Sequence, residues 1–287
     1  MDSTNFYPSK ILLVGEYTIL SGNAGLAIPF IKKFAHWKKE SSSEHEILKD
    51  LILYISENPT LSKYINLSEF RIEIDNGLYL ESSIPYGYGL GSSGTLCAAI
   101  LDRFGINLPL QVAEIFSLLK ELEHFFHGQS SGVDPAVAYF KKPIYIENNQ
   151  IQILSLNTAD FIENHHINLL DSKLGRNTEA LVEVFKEKLK SESFKHSLIQ
   201  ELVPANKNLI NAILHNQADA ISSSWEQVSR KSFTLFEELI PETIKSYWEE
   251  GMRTGAYYCK LCGAGGGGYF LVKETKEADK LFREEGK

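Results

Sequence analysis

Cysteine is scarce in this sequence, and long apolar runs and dense basic clusters do not occur. Three cysteines among 287 residues do not make a disulfide framework, which favours a reducing compartment. The apolar runs are well short of the about 20 residues that a membrane-spanning helix needs. The first residues also lack the basic segment and apolar core of a signal peptide. A cytoplasmic protein without a membrane segment is therefore expected.

Two of the cysteines have a spacing that occurs in metal and redox sites. Cys259 and Cys262 form a CxxC pair. Zinc sites of this kind need a second CxxC or a His pair of matching spacing, and the sequence has neither. Packed thiols are therefore the favoured interpretation.

The charge balance excludes a general nucleic-acid binder. The chain carries 29 Lys and Arg against 37 Asp and Glu, a net charge of -8, whereas nucleic-acid binding needs a basic face. The charge balance does not exclude a local pocket that binds one small polyanion. With 43% hydrophobic residues the chain is typical of a globular protein, and its length suits one large domain or two ordinary ones.

The first half of the chain mixes hairpins with helices. Hairpins are predicted for "KILLVGEY" with "GLAIPFIKKFAHW", for "FRIEID" with "LYLESSI" across Asn76-Gly77, and for "PIYIENNQIQILSL". Helices are predicted for "SEHEILKDLILYISEN", with Ser43 and Glu46 as a capping box, for 94–104, and for "LQVAEIFSLLKELEHFFHG". This order favours an α+β fold over a doubly wound parallel sheet.

The second half is predicted to open on a strand and then to be mostly helical. "HINLLDS" reads as the strand, and helices follow over 178–191, 196–216, 218–239 and 242–254. "YYCKLCG" and "GYFLVK" are strands on either side of "GAGGGG", and a last helix covers 276–287. We expect two closely packed lobes, 1–156 and 157–287, with the active site in the cleft between them.

A glycine-rich loop directly before a helix suggests an anion site. "PYGYGLGSSGT" covers Pro85 to Thr95 and leads into an apolar helix. Glycines allow the unpaired N–H groups of a helix N-terminus to converge on a phosphate. A flexible surface loop is the alternative, because the spacing fits neither of the two common nucleotide-binding glycine patterns.

Two further segments carry candidate functional groups. Gly265–Gly268 are four consecutive glycines that are costly to order, so close approach to a ligand or to the first loop is expected; a plain turn is the alternative. In "ELEHFFHGQSSGVDPAV", Glu123 and His127 share a helix face, and Asp134 follows a Ser/Gly loop. The alternatives are that Glu123 is a solvated carboxylate, that His127 is an ordinary helix-terminal residue, and that Asp134 is a helix cap.

Taken together, three stretches resemble the motifs of the GHMP small-molecule kinases. These stretches are "SKILLVGEYTILSGNAGLAIP", "IPYGYGLGSSGTLCAAI" and "KLCGAGGGGYFLV". "HGQSSGVDPAV" is similar to the H-G-x-P-S-G-[IV]-D segment of the mevalonate kinase branch, and "LLDSKLGRNTEALV" resembles a strand-to-helix segment of that branch. The resemblance implies a ribosomal-S5-like first lobe, a ferredoxin-like second lobe, and MgATP with a small hydroxy acid as ligands; a homodimer is left open.

The resemblance also implies roles for individual residues. Asp134 matches the catalytic aspartate and Lys10 the lysine that pairs with it, while Ser93 and Glu123 match the magnesium ligands. Glu16, Gly263, Gly265 and Gly266 are further motif residues. The expected ATP-binding residues are Gly87, Gly89, Leu90, Gly91, Ser92, Ser93, Gly94 and Thr95.

Four positions depart from the family pattern. Gly94 stands where alanine is usual, Ser130 replaces a proline, and Cys262 stands where threonine is frequent. Tyr17, in "GEYTIL", is more similar to phosphomevalonate kinases than to mevalonate kinases. Mevalonate is the first expected acceptor, because Lys10 is the one basic residue of the four motif stretches that is clearly placed to face it.

Other acceptors and one other class of function stay open. Phosphomevalonate is the second acceptor. A sugar kinase is less favoured because its N-terminal signature is missing, and a homoserine kinase is disfavoured because that branch usually lacks the aspartate. A nucleotide-binding sensor without catalysis is the alternative outside the enzymes, and such a sensor would not need to keep Lys10 with Asp134.

Overall fold

The structure is a computed structural model, and it describes residues 6–40, 46–128, 130–176 and 178–275. The helix predicted over 276–287 and Ser43 of the predicted capping box lie outside the described residues. Among the described helices, none combines the length and the apolar character that crossing a bilayer requires.

The described chain contains eight strands and eleven α-helices. The strands are β1 Phe6–Val14, β2 Gly25–Lys39, β3 Leu78–Ser82, β4 Ile144–Glu147, β5 Gln150–Ile153, β6 Ile167–Asp171, β7 Tyr257–Leu261 and β8 Tyr269–Glu274. The helices are α1 Glu46–Glu57, α2 Leu67–Asp75, α3 Ser92–Phe104, α4 Val112–His127, α5 Val133–Phe140, α6 Thr158–Asn164, α7 Thr178–Lys188, α8 Glu192–Ser197, α9 Val203–Leu214, α10 Ala218–Leu235 and α11 Glu242–Thr254.

A five-stranded sheet is built around the long strand β2. β1 pairs with β2 along most of its length, while β4 pairs with the beginning of β2 and β3 with its end. β5 then pairs with β4. All of these pairs are antiparallel, and Lys10 lies opposite Pro29 in the β1–β2 register. The register thus fixes Lys10 in the middle of a paired strand.

A second, three-stranded sheet has the order β6-β8-β7. Its pairs are also antiparallel, and β7 and β8 flank the second glycine cluster. Antiparallel sheets combined with segregated helices are an α+β architecture, so the predicted fold class is confirmed. The boundary between residues 156 and 157 stays a prediction.

Two apolar cores lie on opposite faces of the first sheet. One core joins Leu12 and Ala27 of the sheet to helices α1 to α5. The other joins Ile11 and Ile28 to the second sheet and to helices α7, α9, α10 and α11. Successive residues of a strand point to opposite faces, so β1 and β2 contribute to both cores. The first sheet is therefore packed between its own helices and the second half of the chain.

The predicted hairpin across Asn76-Gly77 is wrong on its first arm. Residues 67–75 form α2, not a strand, and the Asn66 side chain caps this helix by accepting a hydrogen bond from the backbone N–H of Glu69. Phe70 and Ile74 are buried one helical turn apart, while Ile72 is 58% exposed. Phe70 and Ile74 share one helix face although Ile72 does not, and the Asn66 cap further favours a helix over a strand.

Candidate active site

Lys10 and Asp134 form an ion pair, with Lys10 Nζ 3.0 Å from Asp134 Oδ1. The Lys10 side chain is buried, and Nζ also donates a hydrogen bond to the carbonyl oxygen of Gly89 at 3.3 Å. Asp134 is the second residue of α5, and Gly132 occupies the N-cap position. Asp134 thus faces Lys10 and the first glycine loop, and the helix-cap alternative does not apply to it.

The first glycine loop ends on the N-terminus of α3. Gly87, Gly89 and Gly91 have φ values of 75°, 79° and 75°, which glycine adopts without strain. Gly91 is the N-cap, and within the described chain the first turn of α3 has neither an acidic residue nor a capping side chain. Its backbone N–H groups therefore remain available for an anion, which the helix dipole also favours.

The other residues expected to bind ATP lie in or beside this turn. The backbone N–H of Lys10 donates to the carbonyl oxygen of Leu90 at 3.0 Å, which fixes the loop against β1. Thr95 donates from its hydroxyl to the carbonyl oxygen of Gly91 at 2.8 Å. The first turn of α3 consists of Ser92, Ser93, Gly94 and Thr95.

Glu123 is a buried carboxylate in the last part of α4, with an exposed fraction of 3%. The alternative of a solvated helix carboxylate is therefore wrong. Burial, and secondly the charge of Asp134, raise the pKa of Glu123 to about 8, while Ser130 and Lys10 act in the opposite direction. Ser130 donates a hydrogen bond to Glu123 Oε2. Ser130 and Lys10 offset only part of the effect of burial and of the Asp134 charge on Glu123. A cation bound near these two carboxylates would therefore be favourable.

Ser93 Oγ lies 3.0 Å from Nε2 of His127, the last residue of α4. The two residues join the start of α3 to the end of the helix that carries Glu123. Among the described residues, no three or more His, Cys, Asp or Glu side chains form a metal-binding group. A magnesium site made of two protein ligands and phosphate oxygens does not need such a group, so Ser93 and Glu123 as joint ligands stay a prediction.

Arg176 is a functional candidate that the sequence alone did not single out. Its Nη1 donates to the carbonyl oxygen of Cys262 at 3.3 Å, while its buried Nε has no hydrogen-bond partner among the described residues. A Cβ added to Gly89 would lie 2.1 Å from Arg176 Nη2, and one added to Gly263 would lie 2.8 Å from it. The guanidinium thus occupies the space between the two glycine loops. Burial lowers the pKa of Arg176, and the charge of Asp134 acts in the opposite direction.

The second glycine cluster packs against the first glycine loop. A Cβ on Gly268 would lie 2.6 Å from the carbonyl oxygen of Tyr88, and one on Gly266 would lie 2.7 Å from Leu181. At Gly265 the nearest atom would be the carbonyl oxygen of Leu239, at 2.6 Å. The expected close approach to the first loop is confirmed, and it explains why Gly268 cannot carry a side chain.

Glu16 and Tyr17 connect the segment after β1 to the second sheet. The Glu16 carboxylate forms an ion pair with Lys260 of β7, and Lys260 has an exposed fraction of 0%. The Tyr17 hydroxyl donates to the carbonyl oxygen of Ala264 at 2.6 Å, and its ring stacks on Phe185 with a centroid distance of 4.5 Å. Both residues therefore tie the first motif to the third.

Comparisons with known proteins agree with this geometry. A model of the GHMP kinases N terminal domain matches residues 51–142. This segment is therefore similar to the N-terminal domain of the GHMP kinases. D-glycero-alpha-D-manno-heptose 7-phosphate kinase of Campylobacter jejuni is 27% identical over 225 aligned positions, which cover 72% of this chain and 65% of that protein. The mevalonate kinase of Methanocaldococcus jannaschii is 25% identical over 303 positions, covering 96% of this chain and 93% of that one.

The solved structures agree on the fold. The crystal structure of the Methanococcus jannaschii mevalonate kinase superposes with a TM-score of 0.65 at 21% identity, covering 99% of this chain and 95% of that chain. The matched domain and the mevalonate kinase relatives support an ATP-dependent kinase of the GHMP type. Its three motif stretches, which are far apart in the sequence, meet around Lys10, Asp134 and Arg176.

Glycine at position 94, where the GHMP kinases usually have alanine, is explained by a close helix contact. α3 crosses α5 there, and a Cβ on Gly94 would lie 2.7 Å from both the Asp134 Cβ and the Pro135 nitrogen. We expect Gly94→Ala to lower the free energy of unfolding by about 1–3 kcal/mol, because overpacked contacts cost this much. It should also lower turnover, because Asp134 must shift.

Thermal melting and turnover of the same Gly94→Ala sample check this expectation. Gly175→Ala is the matched control, since an added Cβ there meets nothing within 4 Å in the described chain. A Gly94→Ala protein with unchanged melting temperature and turnover would show that α3 and α5 separate without cost.

A cavity of about 780 Å³ is lined by residues of β1, β2, α6 and β6, with Leu271 of β8. Of the described residues that line it, none belongs to either glycine loop. The candidate active site is therefore defined by its ionic and backbone groups, not by the size of a cavity.

Proposed function

We propose that this chain is a GHMP kinase that transfers the γ-phosphoryl group of ATP to a hydroxyl of a small anionic acceptor, with mevalonate as the first candidate. The observation that carries the proposal is the Lys10–Asp134 ion pair beside the first glycine loop. A nucleotide-binding sensor has no need for a carboxylate and a buried lysine at this place. Phosphoryl transfer needs both positioning and charge neutralisation there.

In this mechanism the glycine loop and the α3 N-terminus hold the phosphates of ATP. Asp134 orients the acceptor hydroxyl and takes its proton, and the acceptor oxygen then bonds to the γ-phosphorus while the bond to the ADP oxygen breaks. Lys10 pairs with the Asp134 carboxylate and neutralises charge on the transferred group. Ser93 and Glu123 would hold Mg²⁺, which supplies charge neutralisation on the phosphate oxygens when it is bound.

Arg176 supports an anionic acceptor. Its guanidinium is close to Gly89 and in the field of Asp134, and its Nε is unpaired among the described atoms. Arginine favours carboxylate and phosphate partners because its planar donors bind them in pairs. Mevalonate provides a carboxylate.

A phosphorylated acceptor is the second candidate, and two observations favour it. Arg176 lies outside the four motif stretches, so the site has a second cation besides Lys10. The number of cations therefore no longer favours mevalonate over a phosphorylated acceptor. In addition, a relative of 27% identity has the name of a heptose 7-phosphate kinase. Phosphomevalonate and phosphosugars therefore belong in the same assay.

An ADP-release screen tests the proposal. Purified protein with MgATP is mixed with mevalonate, phosphomevalonate, a heptose 7-phosphate, homoserine and galactose, and Asp134→Asn serves as the control for contaminating kinases. Turnover of mevalonate supports the first candidate, and turnover of a phosphorylated acceptor alone supports the second. ATP binding without release of ADP for any acceptor would favour the sensor.

We expect Arg176→Lys to raise the KM of the acceptor by about 10- to 100-fold, since hydrogen bonds to charged groups contribute about 1.5–3 kcal/mol. Lysine keeps the positive charge but loses the paired donors. Arg253→Lys is the control, because Arg253 is a largely exposed arginine in a surface ion pair. Steady-state kinetics with varied acceptor would show an unchanged KM if Arg176 only holds the glycine loops together.

A further inference from the structure

Ser130 makes two hydrogen bonds at a position where the mevalonate kinase pattern has proline. Its hydroxyl donates to Glu123 Oε2 and accepts from the backbone N–H of Gly132 at 2.9 Å. Proline has no hydroxyl and could make neither bond. The substitution therefore replaces a rigid ring with a specific polar contact.

The two partners of Ser130 belong to different parts of the candidate site. Glu123 lies in the penultimate turn of α4, whereas Gly132 is the N-cap of α5, the helix that carries Asp134. The connection between the helices is short and contains two glycines at positive φ, Gly128 and Gly132. Glycine gives a connection conformational freedom, and the serine hydroxyl restricts that freedom by linking both helices.

We propose that Ser130 is a positioning residue that sets the Glu123 carboxylate and the start of α5 in a fixed relation. This inference rests on the proposed function, because it assigns Glu123 to the cation and Asp134 to the acceptor. The hydroxyl holds the cation-binding group and the proton acceptor in one unit, so the two act at a constant separation.

Magnesium binding separates this role from a purely structural one. Ser130→Ala and Ser130→Val should weaken binding of Mg²⁺ to the protein–AMPPNP complex by about 10- to 100-fold, the loss expected for a hydrogen bond to a charged group. Ser130→Thr keeps the hydroxyl and should stay within about threefold of wild type. Threonine and valine have nearly the same shape, so this pair isolates the hydroxyl from changes in packing.

The experiment uses calorimetric titration of MgCl₂ into protein with AMPPNP, followed by turnover at saturating magnesium. Ser117→Ala is the control, since Ser117 is on the same helix as Glu123 but donates its hydrogen bond to the carbonyl oxygen of Ala113. Turnover of Ser130→Ala should recover in part as magnesium is raised, whereas Ser117→Ala should match wild type throughout.

Two results would overturn the inference alone. Magnesium affinity of Ser130→Ala and Ser130→Val equal to that of an active wild type would show that the hydroxyl does not position Glu123. Equal weakening in Ser130→Thr and Ser130→Val would show that packing, not the hydroxyl, is responsible. A wild type that neither binds Mg²⁺ with AMPPNP nor releases ADP would instead overturn the proposed function and this inference with it.

Discussion

Asp134→Asn is expected to lower turnover by about 10²–10⁴-fold, the range that a general base contributes, with little change in ATP affinity. The asparagine has nearly the same shape and can still accept a hydrogen bond from Lys10, whose Nζ lies 3.0 Å from Asp134 Oδ1 in the wild type. It cannot take the proton of the acceptor hydroxyl. Turnover and ATP affinity measured on the same protein therefore distinguish catalysis from binding.

Lys10→Met should also lower turnover, and the double variant Lys10→Met/Asp134→Asn should lose less than the product of the two single effects. The two residues are in direct contact, and groups that act as a unit are not additive. Asp160→Asn is a suitable control, because Asp160 lies in the first turn of α6 among exposed groups. A folded Asp134→Asn protein with wild-type turnover would end the assignment of Asp134.

Lys260→Met is expected to cause the largest loss of stability. Lys260 and Glu16 are both buried, and removing one partner of a buried pair costs about 3–5 kcal/mol because the other charge is left uncompensated. For a chain of this size the melting temperature should fall by roughly 10 °C. Differential scanning calorimetry measures the change directly.

The double variant Glu16→Gln/Lys260→Met should regain part of this loss, because no isolated charge then remains buried. Lys186→Met is the control, since Lys186 pairs with Glu183 on an exposed helix surface and such pairs contribute about 0–1 kcal/mol. If Lys260→Met melted like Lys186→Met, the Glu16–Lys260 pair would not stabilise the packing of the second sheet on the first motif.

The sequence predicted much of the fold because most elements have a local signature. The glycine loop before α3, the glycine after α4 and the turn between β4 and β5 each mark a boundary that the structure retains. A strand was wrongly predicted in place of α2 because Phe70, Ile72 and Ile74 follow the period of two of a strand. Phe70 and Ile74 also fit one helix face. Such a choice depends on the cap at Asn66 and on packing against the rest of the chain.

The candidate site was only partly accessible from sequence. Lys10, Asp134 and the glycines follow from motif resemblance, and the structure brings them together. The burial of Glu123 arises from tertiary packing, which a helix-face pattern does not report. Arg176 and Lys260 were missed because the contacts of each are with residues that are far away in the sequence. The available signal for Lys260 was its position shortly before the second glycine cluster.

The Glu16–Lys260 pair spans 244 residues of sequence, and this has a consequence for the order of folding during synthesis. On the ribosome β1 and β2 emerge long before β7, so the ion pair of Glu16 with Lys260 can form only after β7 has been synthesised. Contacts between distant residues also slow folding. Because the segment between β7 and β8 packs on the first glycine loop and on Arg176, we expect the candidate active site to be completed late in folding.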